Sequence, residues 1–474
     1  MRYLPHTESE INEMLKTIGA ASVDGLFASI PESARFKGKL NLPPPLSEPE
    51  LLSQLNNIAS KNKSDAVSFL GAGAYRHFIP AAVKALASRS EFVTPYTPYQ
   101  PELSQGTLQA SFEYQSMMCR LFAMDVSNAS HYDGATATTE AALLAIRATK
   151  RNKILIADTV HPEYRETIET ILRPSGTKIV YIGHDDSGRV NRSLLKSACD
   201  KDCAGLIVGH PNFFGVIDEL ADMAEVIHQA GGLFITSTPE PLSLGLIEAP
   251  GNLGADIACA EGQAFGCGLN FGGPYLGIFT AKEKFLRQMP GRIVGKTLDS
   301  DGKTGYVLTF ATREQHIRRE KATSNICSNE ALCATTAAIY LSLLGKEGLV
   351  KLAELNYAKS EYLKDSLCSG GACSAQNVAQ TFRSANSGRS KDLRYTLKFS
   401  GATFNEFVVD VGQDAEKVLG TLAQNNIFGG VALGKWYPQY KNCILICVTE
   451  ENSKEEMDKL VVSLRGASSD EAIP

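Results

Sequence analysis

The 474-residue chain has no apolar run approaching the roughly 18–20 residues that a membrane-spanning helix needs, so no bilayer segment is expected. It also lacks an excess of positive charge: 47 Lys and Arg stand against 52 Asp and Glu, a formal net charge of −5. That balance gives no global attraction to nucleic acid or to an anionic membrane. Its eleven cysteines include no C-x-x-C pair, which removes the usual zinc and dithiol readings, and no metal site is expected. Cys119, Cys259, Cys333, Cys443 and Cys447 lie inside apolar segments, the pattern of buried free thiols in a reducing cytoplasm. The opening MRYLPHTESEINEML has several acids and no apolar core, so no secretory or transit peptide is expected and the location read is cytoplasmic.

Two nucleotide motifs each fail by a residue. Gly71-Ala72-Gly73 opens like G-x-G-x-x-G, but Arg76 stands where the third glycine should be. Pro290–Thr297 nearly reads as a P-loop, but Pro290 replaces its first glycine and no buried strand precedes it. The nearby His77, a lone histidine beside aromatics, reads as structural rather than catalytic.

What is present fits a large soluble protein, 43% hydrophobic and 21% charged, of two or three domains. Residues 1–60 read as a helical arm. It holds a helix Ser9–Ile18 opened by Ser9, a stiff Leu42-Pro43-Pro44-Pro45-Leu46 connector suited to strapping across another surface, and a helix from Ser47 to Ala59. Residues 61–344 read as the large domain. A buried strand, Lys153–Asp158, and strands Lys178–Ile182, Gly205–Gly209 and Leu233–Thr236 alternate with helices Pro162–Leu172, Arg192–Ala198 and Glu219–Ala230. Such alternation predicts an α/β fold with a mostly parallel sheet and helices on both faces. Residues 345–465 read as a small α+β domain with a Ser-, Asn- and Gly-rich loop, Gly370–Asp392; residues 466–474 read as a tail.

Four stretches carry candidate chemistry. In Phe92–Thr107, prolines 95, 98 and 101 hold Tyr96 and Tyr99 on an extended segment, either an ordinary loop or one that reaches a site mouth or subunit interface. Asn128–Ala148 runs from a small-residue loop, Gly134–Thr139, into a helix from Glu140; it is either an anion site or a well-capped buried helix. Thr312–Asn325 is the most basic segment, with Arg313, Arg318, Arg319 and Lys321 on a solvated face or a positive rim. Ala255–Phe279 reads as a strand, a glycine-rich crossover with five glycines between Gly262 and Gly273, and a second strand.

Four phrases carry a resemblance: GAGAYRHFIP (71–80), TPYTPYQPELSQGTLQA (94–110), FGGPYLGIF (271–279) and TREQHIRREKATSNIC (312–327). Over essentially its whole length the chain resembles the N-terminal half of glycine decarboxylase, the P-protein of the glycine cleavage system, in its separate subunit 1 form. The resemblance implies an aminotransferase-like large domain of pyridoxal phosphate (PLP) fold type I. Matched on Phe265 and Gly272-Gly273-Pro274, the lysine that forms the family's Schiff base falls on Gln263. Counted back from Gly254-Ala255-Asp256, the aspartate that pairs with the pyridine nitrogen falls on Thr236 or its neighbour Ser237. In this fold the cofactor phosphate docks where Gly134, Ala135 and Thr136 stand, which here would be a vestigial phosphate loop. An amide cannot form a Schiff base, so the resemblance implies a subunit with no catalytic residue of its own. Its PLP would be held by subunit 2 in an α2β2 complex that decarboxylates glycine and transfers the aminomethyl group to the lipoyl arm of H-protein. Tyr96, Tyr99, Arg318 and Arg319 are expected near that junction. The alternatives are a regulatory or binding protein that kept the fold, and an independent PLP enzyme using Lys282 or Lys296, neither of which follows the right strand.

Overall fold

The computed structural model describes residues 5–93, 95–326, 330–368 and 395–467. The expected loop Gly370–Asp392 and the tail from residue 468 lie outside them. The chain divides into two units, Met1–Ser64 and Asp65–Pro474.

The first unit carries two capped helices, Glu8–Ile18 and Glu48–Ala59. The first is capped by Thr7, not by Ser9 as expected. Thr7 has a glutamate three residues on, and its backbone N–H donates to the Glu10 carboxylate at 2.6 Å. Ser9 has Asn12 there and cannot close the same reciprocal cap. Ser47 and Glu50 form the second such cap. None of the described residues of this unit is buried.

The second unit is built on a seven-stranded sheet: β1 (Val126–Ser127), β2 (Lys153–Ala157), β3 (Lys178–Ile182), β4 (Cys203–Gly209), β5 (Leu233–Thr238), β6 (Ile257–Glu261) and β7 (Gly277–Ala281). Their order is β1-β7-β6-β5-β4-β2-β3, and every pairing is parallel except those of β7. This is the mostly parallel sheet expected. Strands β2, β4, β5 and β6 are buried along their whole length, as strands covered on both faces must be. Strand β6 shows the alternation directly. Ile257 and Cys259 join the core under helices Gly134–Thr149 and Pro162–Leu172, while Ala258 and Ala260 join the opposite core with Tyr114, Met118 and Ala337.

A long helix, Ala331–Cys368, continues from the sheet layer and breaks only at Gly345, whose φ of 61° suits glycine. Its far end supplies Leu363 and Leu367 to a separate core beside a four-stranded antiparallel sheet, Thr396–Leu397, Glu406–Asp410, Cys443–Cys447 and Val431–Ala432. Helices Ala415–Gln424 and Lys454–Ala467 cover that sheet, the second running two residues into the expected tail. Among the described residues no helix is long and apolar enough to cross a membrane.

Candidate functional site

In an open α/β sheet, ligands bind beyond the carboxyl ends of the parallel strands. Here the ends of β4, β5 and β6 meet the start of helix Gly134–Thr149, and the sequence candidates Gln263, Thr236 and Gly134 lie at that edge.

The helix begins at Gly134, six residues before the expected start at Glu140, so Gly134, Ala135 and Thr136 form its first turn rather than a loop. The glycine and the threonines made the stretch read as loop, because their helix propensity is low. Asp133 overrides that by capping: its carboxylate accepts the Thr136 N–H at 2.7 Å. The hydroxyls of Thr138 and Thr139 fold back onto the Gly134 and Ala135 carbonyls at 2.7 and 2.9 Å.

The group facing this first turn is Glu261, at the end of β6 and 2% exposed. One of its oxygens accepts the Gly134 N–H at 3.0 Å. The other accepts the N–H groups of Gln263 and Leu276 at 3.0 and 2.9 Å. Burial pushes its pKa up to about 8, against the pull of those three donors. Tyr164 packs over Gly134 so closely that a Cβ at 134 would collide with the phenol.

Gln263, expected at the family's lysine position, is buried and hydrogen-bonded through both its oxygen and its nitrogen. Its carbonyl oxygen accepts the Tyr75 N–H at 2.8 Å, and its amide nitrogen donates to the carbonyls of Tyr75 and Cys267 at 3.0 and 2.7 Å. Thr236 is buried in β5 with no hydrogen-bond partner for its hydroxyl among the described residues. Its neighbour Ser237 meets the Thr138 hydroxyl at 3.1 Å.

Beside Gln263 lies a buried acidic cluster. His77 is clamped between Glu450 at 2.8 Å and Glu240 at 2.9 Å. Burial alone would lower its pKa, but the two glutamates more than reverse this and raise it to about 10. With an acceptor on each nitrogen it is an imidazolium. Glu406 accepts the Ala72 N–H at 2.6 Å and the Tyr75 hydroxyl at 2.8 Å, and burial pushes its pKa up to about 7. A cavity of about 10 Å³ remains between Tyr75, His161, Asn212, Glu240, Asn405 and Glu406, space for one water.

The expected junction residues form a different group. The Tyr99 hydroxyl accepts from Arg292 at 2.6 Å, with the guanidinium 5.2 Å from its ring, and the ring meets His316 at 5.7 Å. Tyr96 is 84% exposed, and Arg318 and Arg319 are exposed on the same basic segment as His316. Among the described residues no hydrogen bond, ion pair or ring contact links these four to Gln263, Thr236 or Gly134. Sequence reasoning missed Glu261, Tyr164 and Glu406. Only Glu261 left a trace, as a carboxylate ending the apolar run IACAE two residues before Gln263.

This architecture is that of the aminotransferase-like, PLP fold type I proteins. At the level of fold alone the chain is similar to a Burkholderia pseudomallei sphingosine-1-phosphate lyase (TM-score 0.61, 16% identity, covering 92% of this chain and 94% of that one). A NifS-like protein matches likewise (TM-score 0.59, 13% identity, 84% and 98%). The chain belongs to the glycine cleavage system P-protein family, whose model matches residues 1–374. It is 48% identical, over 97% of its length and 98% of the relative's, to the probable glycine dehydrogenase (decarboxylating) subunit 1 of Bacillus thuringiensis subsp. konkukian (strain 97-27). The protein of that name in Bacillus cereus (strain B4264) is 47% identical over the same shares. A crystal structure of glycine decarboxylase (P-protein) of the glycine cleavage system, in inhibitor-bound form, superposes with a TM-score of 0.86 at 38% identity, covering 98% of this chain and 100% of that one.

PLP is bound in this fold by an amine, a carboxylate facing the ring nitrogen and an open helix start. At the places the resemblance assigns to these groups the chain has a bonded amide, a hydroxyl and a first turn already engaged by Glu261. The residues present do not fit the group.

Proposed function

We propose that this chain is the non-catalytic subunit 1 of a PLP-dependent glycine decarboxylase, the P-protein of the glycine cleavage system. PLP is held by subunit 2, in an α2β2 complex in the cytoplasm. The complex releases CO2 from glycine and passes the aminomethyl group to the lipoyl arm of H-protein. This chain completes the shape of its partner's site, excludes water from it and helps to dock the lipoyl arm. Tyr96, Tyr99, Arg318 and Arg319 stand at that junction. Exposed tyrosine and arginine are the residue types enriched where interfaces are tight.

The observation that carries this reading is Gln263. An amide stands at the expected lysine position, its oxygen accepting from Tyr75 and its two N–H groups donating to Tyr75 and Cys267. Neither alternative lysine supports independent chemistry. Lys282 pairs with Asp256 at 3.1 Å, at the amino end of β6 and so the opposite edge of the sheet. Lys296 is exposed on the hairpin Ile293–Thr309.

The test is incubation of the purified chain with PLP, borohydride reduction and mapping of any pyridoxyl-lysine. No specific adduct is expected, and glycine-dependent CO2 release should appear only when subunit 2 and lipoylated H-protein are added. A stoichiometric adduct on one lysine of this chain, or CO2 release without subunit 2, would overturn the reading.

A further inference from the structure

We infer that Glu261 is this chain's built-in replacement for a cofactor phosphate, so the half-site is filled by the protein's own groups rather than merely short of a lysine. The inference rests on the family membership and the geometry of this chain, and not on the identity of its partner.

A helix start offers free N–H groups and a positive dipole end, which phosphate satisfies in proteins of this architecture. In this chain two side chains already occupy that end. Asp133 takes the Thr136 N–H and Glu261 takes the Gly134 N–H. Glu261 is fixed by the N–H groups of Gln263 and Leu276, so its carboxyl belongs to the turn that also positions the Gln263 amide. The substitute for the phosphate and the substitute for the lysine are therefore one hydrogen-bonded unit. Tyr164 closes the space above Gly134, and His131 closes the adjoining side, its Nδ1 3.1 Å from the Thr136 hydroxyl and its ring stacked on Phe279.

Two consequences follow. Restoring the lysine and aspartate alone, as Gln263→Lys with Thr236→Asp, will not restore PLP binding. Withdrawing the Glu261 carboxyl, in contrast, should reopen a seat that inorganic phosphate can take.

The experiment is thermal unfolding of the full chain in inorganic phosphate against chloride of matched ionic strength. The wild type should show no phosphate-specific shift. Glu261→Ala should melt lower in chloride and regain roughly 2–4 °C in millimolar phosphate. If Glu261→Ala does not fold, Glu261→Ser carries the test, because its short neutral side chain removes the carboxyl and leaves the Gly134 N–H without that acceptor. A phosphate-specific rise in the wild type overturns the inference. So does a folded Glu261 variant that gains nothing from phosphate, or stoichiometric PLP binding by the Gln263→Lys, Thr236→Asp variant. The CO2 assay above reads the subunit assignment separately, so either idea can fail alone.

Discussion

Two regions of the second unit carry conspicuous polar and aromatic groups and use them in opposite ways. At the carboxyl edge of the sheet, Glu261, Gln263, His77, Glu240 and Glu406 are each at most 8% exposed and bonded to one another or to the backbone. On the proline-punctuated loop, Tyr96 projects into solvent, with Arg318 and Arg319 exposed on the segment that Tyr99 contacts through His316. The first region turns these five side chains inward, onto one another and the backbone. The second, among the described residues of this unit, keeps Tyr96, Arg318 and Arg319 exposed. A subunit that has given up its own chemistry while keeping a role in a complex should divide its surface and interior in this manner.

The sharpest way to break the contrast is His77→Ala. It strands Glu240 and Glu450 in a buried site without their cation, which should cost roughly 3–5 kcal/mol in chemical denaturation. A loss under about 1 kcal/mol would show that the clamp is not holding. The pH dependence has a definite sign. The folded pKa of about 10 lies above the ordinary 6.5, so the stabilisation is complete below about 6.5 and disappears as pH rises through 10. The Ala variant should lack that alkaline loss.

Gln263→Ala comes next. It leaves the Tyr75 N–H and two carbonyls without partners in the interior, for an expected cost of about 2–3 kcal/mol. An unchanged denaturation midpoint would mean that the amide is incidental.

Much of this was legible in advance, for identifiable reasons. Strands such as KILIA and GLIVG are covered on both faces, and that forces continuous apolar runs that sequence alone reveals. Gln263 and Thr236 were picked out only through the family resemblance. The partners of those residues were not. His77 meets carboxylates 163 and 373 residues away, and Glu261 reaches a helix start 127 residues earlier, pairings that only the folded chain creates. Helix starts failed more locally: at Thr7 the deciding residue was the glutamate three places on, and at Gly134 it was the aspartate before it.

A subtler effect is expected at Glu406, which faces the Tyr75 hydroxyl, the Ala72 N–H, Glu240 and Cys447. Its folded pKa of about 7 lies above the ordinary 4.5. The unfolded chain therefore ionises first, and the protein loses stability as pH rises from about 4.5 to 7. Glu406→Gln removes that titration, so its stability should fall less across the same interval, by on the order of 1–2 kcal/mol. Parallel pH profiles for the two proteins would contradict the assignment.

The smallest stability effect belongs to the outer region, and there the comparison is decided. Tyr96 is exposed and Arg319 makes no ion pair within 4 Å among the described residues, so Tyr96→Ala and Arg319→Ala should change the stability of the isolated chain by no more than about 0.5 kcal/mol. If these residues face subunit 2, the same substitutions should weaken its binding by tenfold or more, about 1.4 kcal/mol, measured by titration of one subunit into the other. His77→Ala and Gln263→Ala should do the reverse, lowering stability while leaving the affinity of the folded fraction nearly unchanged. The two pairs of variants thus form a cross. If the rim variants destabilise the chain but not the complex, the exposed aromatics and arginines serve the fold, and the division between an inward-facing vestige and an outward-facing junction collapses.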